Sequence, residues 1–218
     1  MKMIKRSTVL NGLIFLSALL AMGFNQQGSP GYYVFKPLTT ILVILLPILG
    51  KEVDTKFRRT LFLALCFCLL GDILLLKNEY FVFGLGSFLI GHIWFAKGFM
   101  GLNGFQRNPG IALVLLVIGI GLYAWLYPDL GTLKYPVAAY VLVILFMAWQ
   151  GIGVYLQHRT KAYGLIALGA VLFMFSDSMI AVDRFKAPFE LSGVVILSTY
   201  WLAITLIANA GILIFRRS

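Results

Sequence analysis

Apolar residues run through this chain in long continuous stretches separated by short polar breaks. The stretches lack the alternation of membrane strands, so they predict helices. A bilayer core about 30 Å thick takes roughly 20 apolar residues per helix. The pattern supplies eight such spans, at about 8–24, 34–50, 60–76, 80–98, 110–127, 135–155, 163–182 and 191–215. The expected fold is all-α, a polytopic membrane helical bundle of eight transmembrane helices. No linker, low-complexity segment or charge block divides it, so residues 1–218 form one transmembrane domain. Lys2, Lys5 and Arg6 ahead of an apolar run from Val9 to Met22 also suit a signal peptide, but no small-x-small cleavage site follows, and the run is read as the first span.

Composition strengthens this reading: 61% of the 218 residues are hydrophobic and 12% charged, more apolar surface than a water-soluble domain of this size could hide. The formal charge of +10 does not point to nucleic acid, because the basic residues are scattered over loops. With the amino terminus inside, the cytoplasmic side carries Lys2, Lys5, Arg6, Lys51, Lys56, Arg58, Arg59, Lys97, Arg107, Arg159, Lys161, Arg216 and Arg217. Lys36, Lys77, Lys134, Arg184 and Lys186 fall on the outer side. This asymmetry predicts both termini in the cytoplasm, and a short chain without transit or retention signals suits a bacterial inner membrane. Cys66 and Cys68 point to different faces of one helix, cannot bridge, and read as small core residues.

A parallel internal repeat is suggested by two segments one hundred residues apart. Lys36-Pro37 precedes Leu42-Val43-Ile44-Leu45, and Tyr135-Pro136 precedes Leu142-Val143-Ile144-Leu145. Each would open a span on the outer side, where proline is tolerated in the first helical turn. The following span in each half carries an acid after a small residue, Gly71-Asp72 and Ser176-Asp177. Spans two to four and six to eight would then be copies related by an axis along the membrane normal, with Asp72 facing Asp177. Chance matching among helices rich in Leu, Val and Ile is the competing explanation.

Charges inside a membrane survive where they face a bundle interior or a wet cavity, which makes Asp72 and Asp177 the first candidates for chemistry. Both are expected near the outer ends of their spans, at similar depth. Arg184 shares a face with Asp177 about 10 Å further out, and with Asp183 it is either a lipid-phosphate contact or a headgroup-level anchor. Lys36 has the same two readings. His92, near the middle of span four, is either tied to a neighbouring helix or part of a site with Asp72. Gly84, Gly91 and Gly98 recur every seven residues and give that helix a smooth stripe for close packing. Asp72, Asp177 and His92 could also hold a metal, but no His-x3-His or Cys-x2-Cys spacing supports one, and neither metal nor cofactor is expected.

Lys36-Pro37, Gly71-Asp72, Gly91-His92 with Phe95, Tyr140, Ser176-Asp177-Ser178 with Arg184-Phe185, and Thr199-Tyr200, in this order along about 30–210, resemble the YhhN-like family of multispanning membrane proteins, which includes the lysoplasmalogenases. The resemblance implies hydrolysis of the vinyl ether bond of lysoplasmenyl-ethanolamine or lysoplasmenyl-choline to a fatty aldehyde and a glycerophospho-base. It implies Asp72 and Asp177 as catalytic residues, and Lys36, His92, Tyr140, Ser176, Asp183, Arg184 and Tyr200 around the substrate. The chain departs from the family pattern at Ile204, where a glutamine is expected, and at Trp201, where a second tyrosine is common. A different polar lining of the pocket is therefore expected.

Vinyl ether hydrolysis needs an acid to protonate carbon and a base to activate water. Two neighbouring aspartates in a low-dielectric pocket can divide those roles, because both do not ionise comfortably together. The expected partners are a lysophospholipid and the bilayer, without nucleic acid; no oligomeric state is implied. A small proton-coupled carrier is the rival class, with a lipid-binding accessory protein a third. A carrier needs polar groups reaching both faces, whereas the inner halves of spans three and seven are apolar.

Overall fold

The computed structural model describes residues 2–24, 29–49 and 55–214; Lys51, Arg216 and Arg217 of the charge pattern lie outside them. Within the described residues there are eight long helices and no strand: α1 (Lys2–Gly23), α2 (Pro30–Leu49), α3 (Thr55–Leu74), α4 (Phe81–Asn103), α5 (Pro109–Leu126), α6 (Lys134–His158), α7 (Lys161–Phe185) and α8 (Ser192–Ile214). Seven are long and apolar enough to cross a membrane on their own. The exception is α3, which carries Arg58 and Arg59 near one end and Asp72 near the other, and is packed between α2 and α4.

Local chemistry sets several helix ends. The Asn108 side chain accepts a hydrogen bond from the Ile111 N–H at 3.2 Å, with Pro109 in the first turn of α5. Thr160 accepts from the Tyr163 N–H to start α7, and Arg159, in the left-handed region at φ 46°, ends α6. Pro37 does not open its helix as the sequence suggests. Helix α2 begins at Pro30, so Pro37 lies inside it, and Lys36 stands almost two turns from its start.

The helices close into a ring in the order α2, α3, α4, α6, α7, α8 and back to α2, with α1 outside against α2 and α8 and α5 outside against α6. Exchanging α1–α4 with α5–α8 preserves the ring contacts and the seating of each outer helix on its neighbour. A second correspondence is a hydroxyl tie across each tightly packed pair. Ser87 of α4 donates to the Phe67 carbonyl of α3 at 2.7 Å, and Ser176 of α7 donates to the Ile196 carbonyl of α8 at 2.9 Å.

Small residues permit those close approaches. A Cβ on Gly91 would stand 3.2 Å from the Ala64 carbonyl oxygen, and one on Gly169 would stand 2.8 Å from the Ala203 carbonyl oxygen. The Gly84, Gly91 and Gly98 stripe thus lies against α3. Inside the ring, Phe88, Phe95, Phe99 and Phe173 form a buried aromatic layer joined by edge and stacked contacts. Helix α5 lies at the periphery, with Leu113, Val114 and Val117 exposed on its surface, as suits a lipid-facing helix.

Candidate active site

Asp72 lies two residues before the end of α3 and is almost fully buried at 1% exposure. Its Oδ2 accepts two hydrogen bonds, from the Thr40 hydroxyl of α2 at 2.5 Å and from the Tyr200 hydroxyl of α8 at 2.8 Å. The Trp201 indole N–H donates to Thr40 Oγ1 at 3.2 Å, which fixes that hydroxyl and extends the chain of bonds toward α8. Lys36 is one turn from Thr40 on the same face of α2. It is buried, and its Nζ lies 5.3 Å from the Tyr32 ring centroid. Burial inside the bundle sets Lys36 apart from the exposed Arg184.

Asp177 occupies the matching helix of the other half, with α7 continuing eight residues beyond it. Its Oδ2 accepts from the Tyr140 hydroxyl of α6 at 2.5 Å. His92 of α4, wholly buried, brings Nε2 to 3.4 Å from the same oxygen, within electrostatic contact but without the alignment of a hydrogen bond. Each proline-containing helix of the repeat thus supplies a hydroxyl to the acid on the next helix, Thr40 to Asp72 and Tyr140 to Asp177. The buried Cys68 lies one turn before Asp72 on α3.

The two acids differ in what covers them. Asp72 is enclosed by Thr40, Tyr200 and the helices that carry them. Asp177 and Tyr140 line an apolar cleft between α4, α5, α6 and α7, walled by Leu85, Leu122, Val137 and Met174 and flanked by Phe81 and Phe185. A second hollow on the seam between α4 and α6 shares Leu85, Val137 and Tyr140 with it. Arg184, exposed, stacks its guanidinium 4.7 Å from the centroid of the Phe81 ring. Asp183 does not pair with it; its Oδ1 accepts from the Phe189 N–H at 3.4 Å in the turn leading to α8.

Of the residues singled out from sequence, Tyr200 comes together with Asp72, and His92 and Tyr140 with Asp177, while Lys36 is buried on the Thr40 face of α2. Ser176 does not join them, because its hydroxyl is spent on the α8 backbone. Sequence reasoning missed Thr40 as a site residue, while Cys68 is the buried core residue it was read as. The signal for Thr40 was present, one turn after Lys36, but a lone hydroxyl in an apolar helix does not stand out. Among the described residues no group of three His, Cys, Asp or Glu side chains could hold a metal ion.

Apolar helices around two buried, hydroxyl-bonded carboxylates define an integral membrane protein of the polytopic helical class. The chain belongs to the YhhN family, whose model matches residues 31–211. Lysoplasmalogenase TMEM86A of Bos taurus is 36% identical over 159 residues, covering 70% of this chain and 65% of the relative. The Homo sapiens protein of the same name is 35% identical over the same coverage. The membrane protein YhhN of Escherichia coli O157:H7 is 29% identical over 194 residues, 86% of this chain and 91% of that protein. The chain therefore spans 65% of the length of the two mammalian relatives. No solved structure matches it.

Proposed function

We propose that this protein is a membrane-embedded hydrolase that cleaves the vinyl ether bond of lysoplasmalogens, releasing a fatty aldehyde and glycerophosphoethanolamine or glycerophosphocholine. The observation that carries the reading is the pair of buried carboxylates on matching helices, one of which lines an apolar cleft while the other is enclosed. The names of the mammalian relatives point to the same substrate class.

A vinyl ether is cleaved by adding a proton to the carbon far from oxygen, capturing the resulting oxocarbenium ion with water, and collapsing the hemiacetal. One carboxylic acid and one carboxylate perform these transfers, and a carboxylate near the cation stabilises it strongly in a dry site. In this proposal the aliphatic chain lies in the cleft between α4 and α6, and Arg184 at Phe81 meets the substrate phosphate. Lys36, buried one turn before Thr40, stays inside the bundle instead.

The carrier alternative finds less support. Phe95, Phe99 and Phe173, none more than 1% exposed, stand between the acid pair and the buried pair of Gln106, in the segment after α4, and Gln150 of α6. That leaves the polar site facing one way.

The first experiment is aldehyde release from lysoplasmenyl-ethanolamine by the detergent-purified protein and its Asp72→Asn and Asp177→Asn variants. Both variants are expected to fold and to lose at least about 100-fold in kcat. Full activity in either would sink the acid-pair mechanism. An inactive wild type on both ethanolamine and choline forms would sink the substrate assignment.

A further inference from the structure

We infer that the end of the bundle opposite the acids carries a second lipid site, a basic hollow between α3 and α4 that holds the headgroup of an anionic phospholipid of the surrounding bilayer. The site shares no residue with the acid pair or with the apolar cleft.

Helices α3 and α4 run antiparallel and touch closely here. A Cβ on Gly98 would stand 2.8 Å from the Thr60 hydroxyl oxygen and 3.4 Å from the Phe57 ring. That contact brings the first turns of α3 level with the last turns of α4. It sets Lys56 and Arg59 beside Lys97 around a hollow of about 540 Å³, with Trp94 and Gly101 also in its wall. Arg59 is about 20 Å from Asp72 along the axis of α3.

Membrane topology alone does not account for this grouping. A charge that fixes orientation needs only to lie on the right side of the bilayer, as the exposed Arg107 and Lys161 do at the same end without lining the hollow. Lys97 instead lies over the Trp94 ring, its Nζ 4.5 Å from the centroid, which holds the ammonium at the wall of the hollow. Neither Arg59 nor Lys97 pairs with a carboxylate among the described residues, so within the described bundle their charge is left for an anion. Glu52 and Asp54, just ahead of α3, lie outside those residues.

The chemistry of the occupant follows from what lies next to the cations. Phe62 is one turn after Arg59, and Ile93 and Ile90 are one and two turns before Lys97 on the same face, all three exposed. Leu63 brings the apolar side of α3 into the hollow itself. Cations near a helix end, a tryptophan at their boundary and an apolar, lipid-facing seam match an amphiphile with an anionic phosphate and acyl chains that follow the seam. A zwitterionic headgroup would bring a cation of its own into the cluster, which favours a net-negative one. A soluble phosphate would gain nothing from the seam.

The test titrates the purified full-length protein, in detergent micelles, with phosphatidylglycerol, phosphatidylcholine or glycerol 3-phosphate and follows the thermal midpoint. Phosphatidylglycerol should raise the midpoint saturably, and the other two should leave it unchanged. Arg59→Gln with Lys97→Gln should weaken the apparent affinity for phosphatidylglycerol about 30-fold. Arg107→Gln with Lys161→Gln removes the same charge from the same end outside the hollow and should weaken it less than about threefold. Gly101→Leu keeps every charge but grows into the hollow, where a Cβ meets nothing within 4 Å, and should weaken binding severalfold. All the exchanged residues are exposed, so the lipid-free midpoints should match wild type. Equal losses in the two double variants, or full affinity in Gly101→Leu, would mean diffuse surface charge and overturn the site. A rise with glycerol 3-phosphate equal to that with phosphatidylglycerol would overturn the lipid assignment, and the absence of a saturable rise in wild type would overturn both.

Discussion

The hydroxyl donors divide the two halves of the site at the level of single atoms. Tyr140 reaches Asp177 from the wall of the cleft, whereas Thr40 reaches Asp72 from within the bundle, where Trp201 in turn holds it. Removing each hydroxyl should therefore have a different signature. Tyr140→Phe is expected to lower kcat roughly tenfold to 100-fold with little effect on unfolding temperature, measured by aldehyde release and a thermal scan in detergent. Thr40→Val strips a donor from a buried carboxylate and leaves the Trp201 indole unpaired, so it should cost about 1–3 kcal/mol of stability, read as a lowered midpoint in the same scan. Arg184→Gln should raise KM severalfold for the phosphate-bearing substrate with kcat nearly kept; an unchanged KM would remove Arg184 from the proposed phosphate contact. The aspartates were legible in the sequence because a charge in an apolar span is rare. Thr40 was not, because nothing but the approach of another helix distinguishes it from an ordinary core residue.

Helix pairs in this bundle approach through small residues, and the closeness is testable element by element. A methyl group at Gly169 would meet backbone, the Ala203 carbonyl oxygen at 2.8 Å, as well as Ile207 at 2.6 Å. Gly169→Ala should thus push α7 from α8 and cost about 1–3 kcal/mol. Gly121→Ala on α5, with nothing within 4 Å, should be neutral or stabilising by up to about 1 kcal/mol. Thermal unfolding of the two variants in one detergent decides it; equal effects would mean that the α7–α8 contact is slack. Helix α3 shows how element and ring depend on each other. By composition it is the one long helix among the described residues that fails as an independent span, yet it carries Asp72 and packs between α2 and α4. The sequence indicated a span there from its apolar middle, but the packing that accommodates its charges is a property of the ring.

At the scale of the whole molecule, six helices form one ring and two pack outside it, eight long helices among the described residues. Combined with the bias of basic residues, this leads us to propose that both termini face the cytoplasm. A fluorescent reporter that folds only in the cytoplasm should shine at either terminus, and a phosphatase active only outside should be silent there. Opposite results at the two ends would contradict the even number of crossings. What the sequence determined by itself was the solvent, the helical spans, the order of motifs along them and the two aspartates inside apolar helices, because a bilayer penalises every exposed polar group and so writes its constraint locally into each stretch of about 20 residues. The tertiary structure decided which helix supplies a hydroxyl to which acid, that Lys36 is buried while Arg184 stays exposed, and that one acid opens to a cleft while its counterpart is enclosed. Those outcomes depend on how helices far apart in the chain rotate and approach within the ring, and uniformly apolar spans encode that rotation only through their packing partners.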